Sequence, residues 1–404
     1  MLIVVFLLLV AASSSSLPVR DCSLCDGSLL SYTCVRCVLP CVTKFNSSAS
    51  VQQRLEQRLF GQDEAVRAIV RSVQRLERGQ HGPIVLHFAG DNGVGKTLAA
   101  RLVAEARFGG VDSAGEPDGL LYMRGESFRG ANASDVARFR QEISHRVVST
   151  LSRCRDAVIV LDEVEKVHRF TVQVLEDFFD DTHPVVSYDE SLKVRTDRAL
   201  FILISDFGVA DATAGMEQAE LIARIEADSR LIWKHRKFAD VIDAIVPFRP
   251  LDQTALESIA FALINELPRR DALRRNRVRS VLAARDVVPK LCKEVMYNYR
   301  GMNGRGVTRI FDDKVLDPVL VVLDQLEKRR LAALSRQPGA LARLWRFLFG
   351  GATTDAHASA ADDALLLDDA AAIDIELSVD ASSPGLTIDA QLRVRRRELQ
   401  RSEL

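Results

Sequence analysis

The sequence predicts an α/β fold, three layers deep (αβα) around a parallel sheet, with a small helical domain behind it. Three observations carry that prediction. Gly90-Asp91-Asn92-Gly93-Val94-Gly95-Lys96-Thr97 fits the spacing G-x-x-x-x-G-K-[ST], with the apolar run Ile84–Ala89 before it and the helix-forming run Leu98–Ala106 after it. That is the strand–turn–helix context the spacing requires. Ala157-Val158-Ile159-Val160-Leu161 and Ala199-Leu200-Phe201-Ile202-Leu203-Ile204 are unbroken apolar runs, as in parallel strands buried on both faces. Helical patterns alternate with these runs, which is the order of βαβ units, and ligands of such sheets sit at the carboxyl ends of the strands.

The bulk numbers agree. A chain of 404 residues with 47% hydrophobic content has room for two or three domains with a large core. A net charge of −1 gives no electrostatic basis for a nucleic-acid partner.

In chain order, Met1–Ala12 is an apolar run of signal-peptide length followed by small residues, so 1–16 reads as a signal peptide, although the usual basic start is missing, with an uncleaved monotopic anchor as the alternative. The chain finishes Arg401-Ser402-Glu403-Leu404, close to the K-D-E-L retrieval address, and together the two ends predict the lumen of the endoplasmic reticulum. Segment 17–50 is cysteine-rich: Cys22, Cys25, Cys34, Cys37 and Cys41 form two C-x-x-C pairs and one more. The spacing suits zinc, while an oxidising lumen favours disulfides. Five is odd, so one thiol is left over or bonds elsewhere. Asn46-Ser47-Ser48 and Asn132-Ala133-Ser134 are glycosylation sequons if the chain is secreted. From 51 to 79 the pattern is amphipathic helix, ended at Gly61 and restarted at Asp63, with Val66, Ile69, Val70 and Val73 on the buried face. Residues 111–119 are a Gly/Pro/Asp connection, Leu120–Met123 a short strand and Ala137–Ser152 a helix. A helical region begins after Pro247-Phe248-Arg249-Pro250-Leu251-Asp252, with Leu256, Ile259, Ala260, Leu263 and Ile264 as its apolar stripe.

The polar strand ends carry the candidate chemistry. The glycines of the loop at 90–97 let backbone N–H groups turn onto phosphates; Lys96 adds a point charge for the β- and γ-phosphates and the Thr97 hydroxyl a ligand for Mg²⁺. Asp162 and Glu163 end a buried strand, a costly place for two carboxylates unless they work. Asp162 would hold the metal or its water, and Glu163 would act as base on an attacking water. Asp206 ends the next strand. The cofactors so predicted are ATP and Mg²⁺.

At residues 51–325 this order of motifs resembles the Clp-type AAA+ ATPases, and more narrowly the torsins. Phe60-Gly61-Gln62 resembles the family's adenine-side segment. The run from Leu151 through Cys154 and Val164-Glu165-Lys166-Val167-His168 is similar to torsins, as is Ile242–Leu251. Asn303-Gly304-Arg305-Gly306-Val307-Thr308-Arg309 resembles the lid segment that supplies an arginine, Arg305, to the γ-phosphate. The resemblance implies an AAA+ domain at 51–250 and a helical lid at 251–330; it ends near Leu331, and 331–404 reads as a C-terminal extension, partly disordered. The departures matter too. The family usually has Asn where this chain has Asp206, a carboxylate that would repel a γ-phosphate and slow hydrolysis. Thr97 stands where many torsins have Asn. Val241 stands where Clp-type enzymes carry an arginine finger, worth several orders of magnitude in rate. Torsins share that absence, which implies a membrane-anchored activator that supplies the arginine, with protein clients and a homo- or hetero-oligomer. Arg236 and Lys237 lie out of register. No Gly-aromatic-Val-Gly pore loop occurs between 120 and 135. Cys154 and Cys292 read as buried free thiols.

Past 331, Leu341–Phe349 is a short basic amphipathic stretch that would dock on its own domain, a partner or a membrane surface, and Ala352–Asp374 reads as disordered. Ile373–Val379 and Leu386–Val394 alternate like a hairpin with Ser382-Ser383-Pro384-Gly385 as the turn. The function these readings support is an ATPase that remodels protein complexes. Beside it stand a nucleotide-gated scaffold that barely hydrolyses and a Clp-like unfoldase.

Overall fold

A computed structural model describes residues 47–79, 82–108, 117, 119–188, 192–207, 215–233, 241–336, 372–380 and 386–395. The signal segment, the five cysteines at 22–41, Arg236, Lys237, the amphipathic stretch at 341–349 and the last four residues lie outside them.

The body is a five-stranded parallel sheet in the order β2-β3-β6-β1-β7. Its strands are β1 (Ile84–Gly90), β2 (Leu120–Arg124), β3 (Val158–Asp162), β6 (Leu200–Ser205) and β7 (Ala244–Phe248). β4 (Val185–Tyr188) and β5 (Leu192–Arg195) form a separate antiparallel ribbon. β1, β3 and β6 are buried at every position, as their unbroken apolar runs demand. Pro247 lies in β7 at the sheet edge, where its missing N–H costs nothing. Helices α1 (Ser47–Arg58), α2 (Asp63–Glu77), α3 (Lys96–Phe108), α4 (Ala133–Arg153) and α5 (Gln218–Trp233) flank the sheet. Val66, Ile69, Val70 and Val73 of α2 are all buried. At about 1.5–3 kcal/mol for each large apolar side chain, that stripe fixes the helix on the body.

The lid has its own core. α6 (Gln253–Glu266), α7 (Val287–Asn298), α8 (Asn303–Phe311) and α9 (Asp317–Arg336) pack with β8 (Val278–Ala283). α6 starts where Asp252 caps the amide of Ala255 at 2.7 Å. The hairpin expected near the C-terminus forms as β9 (Ala372–Val379) and β10 (Ile388–Arg395) and packs with the lid. β9 runs parallel to β8, and Ile373, Ile375 and Leu377 join the lid core. Pairing with β9 satisfies backbone N–H and C=O groups along one edge of β8, and the lid core covers the apolar face of the hairpin.

Cys154 caps α4 and is disulfide-bonded, which corrects its reading as a free thiol. Cys292 is free and buried, as expected. Burial, then the charge of Glu257, pushes its thiol up to about 12. Asn132 of the second sequon is exposed and caps α4 through a 2.8 Å bond from the Asp135 amide.

Candidate functional site

The carboxyl ends of β1, β3 and β6 meet at a cavity of about 840 Å³ between the body and the lid. It is lined at one end by the glycine-rich loop, Asp162, Glu163, Asp206 and Arg305, and at the other by Leu59, Phe60, Leu251, Ile259 and Leu263. One wall thus suits a polyanion and the other a flat apolar group. Ile259 and Leu263, read as lid core, are only partly buried and face this cavity.

Lys96 opens α3 with its side chain buried. Its ammonium donates to the carbonyls of Gly90 (2.6 Å) and Asp91 (2.7 Å) and to Asp206 Oδ1 (2.9 Å). The loop turns through Gly93 at φ 75°, where a Cβ would lie 2.3 Å from the Met302 carbonyl of the lid. Beneath it, His87 of β1 shares a 2.7 Å hydrogen bond with Ser205 Oγ. Burial, then the charge of Lys96, pushes its imidazole down to about 3, so it stays neutral and adds no second cation under the loop.

Thr97 Oγ1 donates to Asp162 Oδ2 at 2.8 Å, and Tyr122 of the neighbouring strand donates to the same oxygen at 2.6 Å. Burial, then the bond to Asp162, pushes the Tyr122 phenol up to about 12, so it remains a donor. The hydroxyl and carboxylate are hard oxygen ligands of the kind Mg²⁺ takes together with substrate phosphates and waters; the residues fit that ion. Among the described residues no group of three or more His, Cys, Asp or Glu could hold a metal by itself.

Glu163 has a left-handed backbone, φ 57°, a strained conformation for a side-chain-bearing residue. The turn sends its carboxylate into the cavity, where Lys166 Nζ lies 2.7 Å from Oε1 and bridges to Glu126 at 3.2 Å. Glu165 stands behind it, half-buried, with its Oε2 unpartnered; burial raises its pKa.

Arg305 reaches the loop from α8 through a 3.3 Å bond to Asn92 Oδ1, and Asn92 Nδ2 donates to Asp206 Oδ2 at 3.2 Å. The sites read separately at 90–97, 162–163, 206 and 305 therefore converge. Gly61 and Gln62 do not line the cavity as expected. Gln62 is buried, and its amide is used by backbone: it donates to Arg249 O (2.7 Å) and Val94 O (3.4 Å) and accepts from the Arg249 N–H (3.0 Å). At Gly61, φ 70°, a Cβ would lie 2.7 Å from Ala255. These two residues bring the lid linker close, and Leu59 and Phe60 beside them supply the wall. Val241 is partly buried against the body core. Tyr122 and Lys166 were missed by the sequence reading. The only signal for Tyr122 was its polar end on a short strand two positions before the strand's close.

A glycine-rich loop that leaves a buried parallel strand and opens a helix has the arrangement of a phosphate-binding loop. Residues 82–240 match the family model of the AAA domain (Cdc48 subfamily). The chain is 25% identical over 282 residues to chaperone protein ClpD1, chloroplastic, of Oryza sativa subsp. japonica, covering 66% of this chain and 30% of that protein. It is 28% identical over 276 residues to chaperone protein ClpB of Chlamydia muridarum, covering 66% and 31%. It is 27% identical over 244 residues to probable chaperone protein ClpB 1 of Chlorobaculum tepidum, covering 56% and 54%. Residues 82–240 are thus similar to an AAA domain, and the chain spans about a third to a half of the length of these relatives.

Proposed function

We propose that the chain is a torsin-like AAA+ ATPase that binds ATP with Mg²⁺ and remodels protein complexes, with a partner supplying an arginine. The observation that carries this reading is the single cavity joining Lys96, the Thr97–Asp162 pair, Glu163 and Arg305. Bound Mg²⁺ would neutralise charge developing on the phosphates. Lys96 and the loop amides hold the phosphates, Thr97 and Asp162 are the metal ligands, and Glu163 accepts the proton of the attacking water. Arg305 faces the same end from the lid. Val241, apolar and packed on the body core, supports the need for an outside arginine. An oxidising compartment, the endoplasmic reticulum lumen, is supported by the Cys154 disulfide. Protein clients, a membrane-anchored activator and assembly into an oligomer belong to this proposal.

A second reading, a nucleotide-gated scaffold, is favoured by the ion pairs that Lys166 makes with Glu163 and Asp206 with Lys96. ATP turnover of the purified chain, alone and with candidate luminal partners, separates the two. Under the first reading a partner raises turnover and Glu163→Gln lowers it by about 100-fold or more while nucleotide still binds. Turnover that never exceeds the Glu163→Gln background leaves the scaffold.

A further inference from the structure

Asn303 stands at the first residue of α8 with a left-handed backbone, φ 46°. Asn is among the few side-chain-bearing residues that adopt this conformation readily. Its half-buried side chain does more than permit the turn. Oδ1 accepts from the N–H of Leu251 in the linker that joins β7 to the lid, at 3.1 Å. Nδ2 donates to the carbonyl of Asn92 in the phosphate loop at 2.9 Å and to the Gly301 carbonyl at 3.4 Å. These partners fix which end of the amide is oxygen: Leu251 N–H needs an acceptor, and two carbonyls need a donor. The next residue continues the contact, because the N–H of Gly304 donates to the carbonyl of Gly93 at 3.0 Å.

Two successive carbonyls of the loop are thus held by two successive residues of the lid. A trans peptide is planar, so fixing a carbonyl fixes the opposite direction of the N–H in the same unit. Holding the Asn92 and Gly93 carbonyls toward the lid therefore turns the N–H groups of Gly93 and Val94 away from it. Backbone N–H groups of this loop are the donors that hold phosphate oxygens. The contact also lies beside Arg305, whose guanidinium reaches the side chain of the same Asn92.

We propose that Asn303 is a positioning residue that ties the linker, the lid and the phosphate loop together, so that the orientation of the loop amides depends on the seating of the lid. The proposal rests on the nucleotide-binding reading above. Three properties are needed at one place: tolerance of positive φ, an acceptor and a donor. Asp keeps the first two and loses the donor. Gly keeps the backbone and loses all three side-chain bonds.

Affinity for a fluorescent ATP analogue with Mg²⁺, and the thermal midpoint without nucleotide, are measured for the full chain and for Asn303→Gly, Asn303→Asp and Asn298→Ala. Asn298 is an exposed lid residue whose amide bonds Glu294 on its own helix, away from the cavity. The expected result is about tenfold weaker binding for both Asn303 variants, the loss of one or two net hydrogen bonds. Their midpoints stay near that of Asn298→Ala, and in turnover the loss falls on KM rather than kcat. Unchanged affinity in either variant overturns the proposal, as does a loss that Asn298→Ala reproduces. If Asn303→Gly does not fold, Asn303→Asp decides alone. A wild-type chain that binds no nucleotide sinks the nucleotide reading and this proposal with it, whereas tight wild-type binding left intact in the variants sinks this proposal only.

Discussion

The body half and the lid half of the cavity are built in opposite ways. The body half is assembled from the ends of adjacent parallel strands, so Lys96, Asp162 and Asp206 meet because β1, β3 and β6 are in register. The lid half has no such frame. Leu251, Ile259 and Arg305 come from a linker and two helices whose core is completed by strands at 372–395. The body places charge by topology, whereas the lid places it by closing a long stretch of chain onto β8. The difference teaches that the two halves carry different risks. A change in the body alters chemistry at a fixed place, and a change in the lid core alters the place itself.

The largest test of that contrast is Ile375→Ala in the hairpin, about 100 residues from β8. Ile375 is fully buried in the lid core, and its truncation should cost about 3 kcal/mol of stability by chemical denaturation. If stability does not change, the hairpin is not part of that core and the contrast fails. Next in size is Asp206→Asn, a body change at a fixed place. It removes the carboxylate 2.9 Å from the Lys96 ammonium and should strengthen ATP–Mg²⁺ binding by about tenfold, read by calorimetry. Weaker binding would mean that Asp206 helps hold the metal instead. The smallest effect is expected at Cys292. Its thiol, pushed up to about 12, stays protonated at pH 8, so iodoacetamide should leave that residue unlabelled in the native chain and label it in denaturant. Peptide-level mass spectrometry reads the difference. Native labelling at the rate of a free thiol would show that the lid core opens.

The strands of the body were legible because a strand buried on both faces must be apolar throughout, and each expected run falls within a residue or two of an observed strand. The phosphate loop was legible for a different reason: its spacing is a local constraint on backbone and charge. Gln62 shows the limit. Its place in a recognisable segment pointed to the nucleotide, but its amide is taken up by Arg249 and Val94. Nothing in the neighbouring residues encodes a contact across 187 positions of chain. Tyr122 escaped for the same reason, since a strand's neighbour across the sheet is a property of topology.

What the sequence determined by itself is the local part: which segments are strands or helices, and which side chains at their ends carry charge. Hydrophobic period and loop spacing act within a few residues, so no fold is needed to read them. Only the tertiary structure decided that the C-terminal hairpin completes the lid, that Lys166 holds Glu163, and that Asn303 grips the loop. Each of these joins groups whose proximity depends on packing the chain as a whole. The alternation at 373–379 could show that this strand has an apolar face, but only the shared core shows what that face is buried against.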